Sequence, residues 1–279
     1  MEARIDDPAP SPILVTGGTG TLGRLVVARL LDTGRDVRVI SRQRRERTGG
    51  LEYVAGDLAT GEGIDAAVAG AGIIVHLAGS AKGDEDKARH LVGAETRGGA
   101  RHLVYISVVG ADRIPVTSAI DRAMFGYFAS KRAAERLVAD SGVPWTTLRA
   151  TQFHDLTLKT VQAMSRLPVI PVPGVWRFQP IDPGEVADRL VALALGTPAG
   201  LVPAMAGPRV YEMAELVRGY LRAVGKRRVI VPLPLPGGAA RAFREGANLE
   251  PDRAVGRRTW EDFLADRVSA PRESTLAAT

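Results

Sequence analysis

The sequence predicts an α/β fold: a doubly wound parallel sheet followed by a small C-terminal lobe. Three observations carry this. Short apolar runs alternate with segments of helical periodicity through the first half of the chain. Those runs are apolar at nearly every position, as strands covered on both faces must be. The first run, Ile13-Leu14-Val15-Thr16, passes straight into the glycine cluster Gly17-Gly18-Thr19-Gly20-Thr21-Leu22-Gly23 and then into a helical pattern, the order of strand, tight turn and helix.

Residues 13–16 are the first strand. Residues 21–33 place Leu22, Val26, Val27, Leu30 and Leu31 at helical spacing, and Gly34 is positioned to end that helix. Strands follow at 37–40 and 51–55, a helix at 63–69, a strand at 72–78, a helix at 85–98 and a strand at 103–108. Residues 123–141 form a long helix stopped by Gly142 and Pro144, and 145–149 form a sixth strand. After Thr151 the rhythm changes. The Pro-rich stretch 168–176 suits a loop or short strand outside the main sheet. Helices are expected at 184–195, 212–224, 238–245 and 258–264, and a strand at 228–231. The expected organisation is a nucleotide-binding core over 12–152, completed by 179–206. Residues 153–178 and 207–266 form a substrate-side lobe, and 1–11 and 267–279 are tails.

Composition narrows the function. The chain has 279 residues, 45% of them hydrophobic, ordinary for a protein with a real core. No apolar run reaches the roughly 18 residues that span a bilayer. The opening residues carry acids and no apolar segment of signal-peptide type, so a cytoplasmic protein without a membrane partner is expected. The absence of cysteine excludes disulfides, thiol nucleophiles and sulfur-ligated zinc. His76, His90, His102 and His154 never stand one helical turn apart, so no metal is expected. The net charge is +6, but only 5% of residues are aromatic and the arginines read as scattered apart from 42–47. That argues against nucleic acid.

The glycine cluster lets a backbone approach a pyrophosphate, with the positive end of a helix aimed at it. Gly18-x-Gly20-x-x-Gly23 fits the general dinucleotide fingerprint. A site for NAD needs an acid near the end of the second strand to hold the ribose 2′-hydroxyl. Here that strand ends Ile40-Ser41-Arg42. A guanidinium matches phosphate oxygens bidentately, so Arg42, with Ser41 as a further donor, points to NADP(H) over NAD(H). Arg44, Arg45 and Arg47 add positive potential, or form a solvated loop around Arg42.

Tyr127-Phe128-Ala129-Ser130-Lys131 sets a tyrosine and a lysine one turn apart on one helix face. An ammonium beside a phenol favours the phenolate and lowers a pKa that is ordinarily near 10. Tyr127 is then a candidate proton donor to a carbonyl oxygen, and Lys131 a candidate partner of the nicotinamide ribose. Ser107, at the end of the fifth strand, is the candidate third catalytic group. Thr117 and Ser118 are substitutes, and a purely structural hydroxyl at Ser107 is the alternative.

Gly17-x-x-Gly20-x-x-Gly23, taken with the strand order, resembles the short-chain dehydrogenase/reductase superfamily in its extended and atypical branches. Residues 12–200 look like its NmrA-like, NAD(P)H-binding kind. The resemblance implies a Rossmann-type sheet and the turn residues Thr16 to Gly23 around the cofactor. It implies Asp57 and Leu58 at the adenine, and Leu77, Ala78 and Gly79 beside the adenosine ribose. Residues 145–155 resemble that group's sixth strand and following loop, except that Ala150 stands where the group often has proline. Gln152, Phe153 and His154, with the apolar stretch around Trp176, are the candidates to line a substrate pocket suited to an apolar molecule.

The family is divided between reductases and non-catalytic dinucleotide binders that report to a partner protein. The first reading is an NADPH-dependent oxidoreductase acting on a carbonyl or a quinone- or enone-like compound. The alternatives are a redox sensor with a regulatory protein partner and an NADP-using isomerase or dehydratase. A homo-oligomer is compatible with each.

Overall fold

The computed structural model describes residues 11–43, 45–79 and 83–269, without the side chains of residues 96–97 and 268–269. Most of the expected N-terminal tail, the C-terminal tail from residue 270 and Arg44 lie outside the described residues.

The elements, in chain order, are β1 (Ile13–Thr16), α1 (Thr21–Asp32), β2 (Val37–Ser41), β3 (Leu51–Ala55), α2 (Ile64–Val68), β4 (Ile73–His76), α3 (Asp84–Gly98), β5 (His102–Val108), α4 (Ala119–Ala139) and β6 (Trp145–Ala150). Then come α5 (His154–Met164), β7 (Val169–Val172), β8 (Arg177–Phe178), α6 (Pro183–Leu195), β9 (Gly200–Leu201), β10 (Tyr211–Glu212), α7 (Met213–Ala223), β11 (Val229–Pro232), α8 (Gly238–Arg244) and α9 (Trp260–Ser269).

Seven strands pair in parallel in the order β3-β2-β1-β4-β5-β6-β9. The order reverses between β1 and β4, the switch point of a Rossmann-type sheet, where ligands sit beyond the strand carboxyl ends. Alternate residues serve opposite cores. Ile13 and Val15 pack with α1 and α6, while Leu14 faces the side of α2, α3 and α4. Each fully buried Leu or Ile of this kind is worth roughly 2–3 kcal/mol. A third core fills the lobe around Trp260, Tyr211 and Phe243. Two small sheets, β8–β10 and β7–β11, lie outside the main one, so the Pro-rich stretch does form a short strand apart from it.

Several elements differ from the expectation, among them the two-residue strands β8 and β10, which have no sequence counterpart. α4 starts four residues earlier, because Ser118 caps it: its Oγ accepts from Asp121 N at 3.0 Å, and the Asp121 carboxylate accepts from Ser118 N at 3.1 Å. α5 was not expected; it begins directly after the loop residue Phe153, without a side-chain cap. β9 has only two residues, too few to show a period. α9 runs on to Ser269, into the expected tail.

Candidate active site

The turn after β1 is held by sterics that only glycine satisfies. Gly17 has φ +69°, and a Cβ there would stand 2.7 Å from Ala78 N. A Cβ at Gly23 would meet Gly17 O at 2.0 Å, and one at Gly18 would meet the Val39 methyls at 2.8 Å. The turn is therefore pressed between α1 and the segment after β4. α1 begins at N-cap Gly20 with no side-chain cap and no acid in its first turn, leaving the positive end of the helix to an anion.

Thr16 lies behind the turn, fully buried. Its Oγ1 accepts from Leu77 N (3.2 Å) and Ala78 N (3.3 Å) and sits 2.7 Å from His76 Nδ1. With two donors already aimed at it, the hydroxyl donates its own proton to an unprotonated Nδ1. His76 is accordingly neutral: burial, then the charges of Lys131 and Lys87, bring its pKa down to about 3. Thr16 thus fixes the β4 end against the turn.

A cleft of about 960 Å³ opens over the switch point. Gly17, Thr19, Gly20, Ser41, Arg42, Asp57, Leu58, Leu77, Ala78 and Gly79 all line it. Gly18, Leu22 and Gly23 are buried beneath it, and Thr21 is half-buried. Arg42, exposed at the β2 end, shares one wall with Arg45, whose guanidinium also lies 5.4 Å from the Tyr53 ring centre. Asp86 and Lys87 form part of the lining that the sequence did not single out. They stand in the first turn of α3, where acids read as ordinary helix-start residues.

Tyr127 and Lys131 share a face of α4, and Lys131 Nζ stands 5.8 Å from the Tyr127 ring centre. The expected effect on the phenol is reversed. Lys131 is 3% exposed; its Nζ donates to Ile106 O at 3.1 Å and pairs with Asp84 Oδ2 at 3.2 Å. Asp84 is brought there because Ser130 Oγ of α4 accepts from Asp84 N at 3.1 Å, docking the start of α3. A carboxylate that close offsets the ammonium's field. Burial, and then the Asp84 charge, push the Tyr127 pKa up, not down. Burial lowers the Lys131 pKa, against the pull of Asp84.

Ser107, at the end of β5, is buried beside Glu135, one turn beyond Lys131 on α4. Arg149 holds Glu135 with two 2.8 Å hydrogen bonds and reaches Asp112 at 2.7 Å. Burial favours the neutral acid at Glu135, but these bonds outweigh it and keep the carboxylate below its usual range. Ser118 and Thr117 serve the α4 cap.

The substrate-side candidates separate. Gln152 donates to Thr157 Oγ1 at 2.8 Å, and half-buried Phe153 bridges to Ile181 and packs on the main core. His154 is fully buried, stacked against Phe263 and Trp260, with Nε2 3.1 Å from Arg258 O. Trp176 packs on Phe125 and Phe243 in the lobe core. These two side chains build the lobe. Neither signal in the sequence distinguishes a buried aromatic from a pocket wall.

A family model described as NAD(P)H-binding matches residues 17–173, more than half of the chain. The chain belongs to this NAD(P)H-binding family. The cleft fits such a group, since the glycine cradle and the uncapped α1 start are the features a dinucleotide's pyrophosphate requires. Among relatives of this NAD(P)H-binding protein is a (4-alkanoyl-5-oxo-2,5-dihydrofuran-3-yl)methyl phosphate reductase of Streptomyces griseus. It is 30% identical over 77% of this chain and 74% of its own length. A ceramide reductase of Caulobacter vibrioides is 31% identical over 81% of this chain and 74% of its own. Among solved structures, the NADPH complex of a quinone oxidoreductase from Escherichia coli superposes with a TM-score of 0.73. That match has 19% identity and covers 91% of this chain and 99% of the other; at that identity the likeness is one of fold. Among the described residues no cluster of potential metal ligands occurs, and no helix is long and apolar enough to cross a membrane.

Proposed function

We propose that this protein is an NADPH-dependent reductase of an apolar carbonyl or conjugated, quinone- or enone-like small molecule, with Tyr127 as the proton donor. The observation that carries the reading is the pairing of Tyr127 with Lys131 on one face of α4, with the Lys131 ammonium beside Gly79 of the cleft wall. A Cβ on Gly79 would lie 3.3 Å from Lys131 Nζ. The reduced nicotinamide supplies a hydride when bound. Tyr127 supplies the matching proton to the substrate oxygen, and its raised pKa keeps that proton in place until the oxygen becomes basic. Lys131 stands beside the phenol and holds the nicotinamide ribose, and Ser107 adds a buried hydroxyl to the same strand end. Arg42 and Ser41 receive the 2′-phosphate, which favours NADPH. The reductase names of the two relatives support the reaction class.

Asp84 favours a second reading. Its carboxylate occupies the ammonium that would otherwise activate Tyr127, as suits a dinucleotide sensor without turnover. The deciding experiment follows NADPH oxidation against quinones, aromatic ketones and enones, with NADH in parallel, for the native protein and Tyr127→Phe. The reductase reading expects turnover that prefers NADPH and falls about 100-fold or more in the variant, with NADPH affinity retained. Unchanged turnover in Tyr127→Phe removes the tyrosine from the reaction. Tight NADPH binding without turnover across the panel favours the sensor.

A further inference from the structure

The charge of this chain is not evenly spread. Residues 156–181 and 216–244 contain ten basic residues and no acidic one, leaving 27 basic against 31 acidic residues everywhere else. The sequence hides this because the two segments are far apart. The fold joins them by pairing β7 with β11 in parallel. Both strands therefore begin at the same end, and Arg166 before β7 meets Arg227 and Arg228 before β11, with Lys226 on the far side of that arm. Arg218 and Arg222 on α7 complete the cluster.

Two open recesses, of about 590 and 410 Å³, flank the Arg227–Arg228 arm. All six cations are exposed. Among the described residues none of the six makes an ion pair, whereas exposed arginines elsewhere, such as Arg89, Arg113 and Arg267, do.

The ribbon itself presents aliphatic groups. Ile170 and Val172 face the lobe core, so Val169 and Pro171 point outward, in register with exposed Val229 and Val231. Val169 is 49% exposed, Val229 61% and Val231 44%, and Leu167 and Leu233 extend the surface beyond the strand ends. A contiguous apolar patch bordered by unpaired cations is not an ordinary solvated surface. Nucleic acid is matched by cations with stacking aromatics, and here the outward groups are aliphatic.

We infer that the β7–β11 face is a peripheral docking surface for an anionic phospholipid bilayer. Arg166, Arg218, Arg222 and Lys226 to Arg228 meet the headgroup phosphates, and the ribbon's Val and Leu side chains enter the headgroup–acyl boundary. A surface of this kind lies on the membrane and does not span it, and among the described residues no helix is long and apolar enough to cross a membrane. The expectation of no membrane partner rested on the lack of a spanning run and of a signal-peptide segment, neither of which bears on a surface-bound face. The inference does not depend on hydride transfer at the cleft.

The test is co-sedimentation of the full chain with vesicles of phosphatidylcholine alone, and with vesicles in which about a third of the lipid is phosphatidylglycerol or phosphatidylserine. Binding to the anionic vesicles only, weakening with salt, is expected. Arg227→Glu with Arg228→Glu lowers it about 10-fold or more. Val229→Ser with Val231→Ser lowers it severalfold and makes the remainder fully salt-sensitive. Both pairs are exposed, and each variant is checked for native melting temperature and NADPH affinity. Equal binding to neutral vesicles, unchanged binding in the charge-reversed variant, or tighter binding to a DNA or RNA oligonucleotide than to anionic vesicles overturns the proposal.

Discussion

The glycine turn after β1 and the Tyr127–Lys131 pair on α4 are both short spacings, but they differ in what completes them. Main chain completes the turn: Gly17 stands against Ala78, and Gly23 against the Gly17 carbonyl. A side chain from another element completes the pair: Asp84 of α3, docked by Ser130, takes the Lys131 ammonium. A motif made of backbone conformation brings its own environment. A motif made of two side chains takes its charge state from whatever third group the fold supplies.

The most severe way to break the first region is Gly23→Ala. Its Cβ lands 2.0 Å from a carbonyl oxygen of the turn. Loss of dinucleotide binding is expected, with a destabilisation of about 4 kcal/mol in urea unfolding. Retained affinity would mean that the turn has slack. The corresponding change in the second region is Asp84→Asn. It leaves the buried ammonium without this carboxylate and costs about 3 kcal/mol. The same change removes one of the two influences that raise the Tyr127 pKa, so the phenol titrates at lower pH, as read by its ultraviolet absorbance. A Tyr127 titration that does not move would show that burial alone sets it.

His76 lies where the two regions meet, bonded to Thr16 and facing the charges of Lys131 and Lys87. Its folded pKa, about 3, is below the usual 6.5, so between those values the unfolded chain holds a proton that the folded chain does not. The stability this group contributes is complete above pH 6.5 and declines as pH falls toward 3, by about 1.4 kcal/mol per pH unit. Unfolding free energy measured against pH should show that limb, and His76→Asn should flatten it. The smallest effect is expected from Ser118→Ala, which removes the α4 cap: about 1 kcal/mol in thermal unfolding, with NADPH affinity unchanged. A loss of affinity there would mean that the start of α4 also shapes the cleft.

How much was legible in the sequence follows the same division. β1, the turn and α1 were legible to within a residue, because apolar runs, glycines and helical spacing are local. The parallel, doubly wound character of the sheet through β6 was legible from the alternation, whereas the strand order came with the structure. Asp84 was not legible as a partner of Lys131, since it lies 47 positions away in the chain and reads as a helix-start acid. His154 and Trp176 read as cleft candidates from their places after β6 and in the Pro-rich stretch, and only the packing of α5, α8 and α9 puts them in the lobe core. The cation cluster needed the β7–β11 pairing before its members became neighbours.

The most direct test of the dinucleotide account is calorimetric titration of NADPH and NADH into the native protein and Arg42→Ala. The account predicts tighter binding of NADPH to the native protein. In the variant it predicts a loss of about 10- to 100-fold for NADPH, the worth of a charge-assisted phosphate contact, with NADH affinity changed by less than about 2-fold. Equal losses for both dinucleotides would contradict a 2′-phosphate contact at Arg42 and with it the NADPH preference.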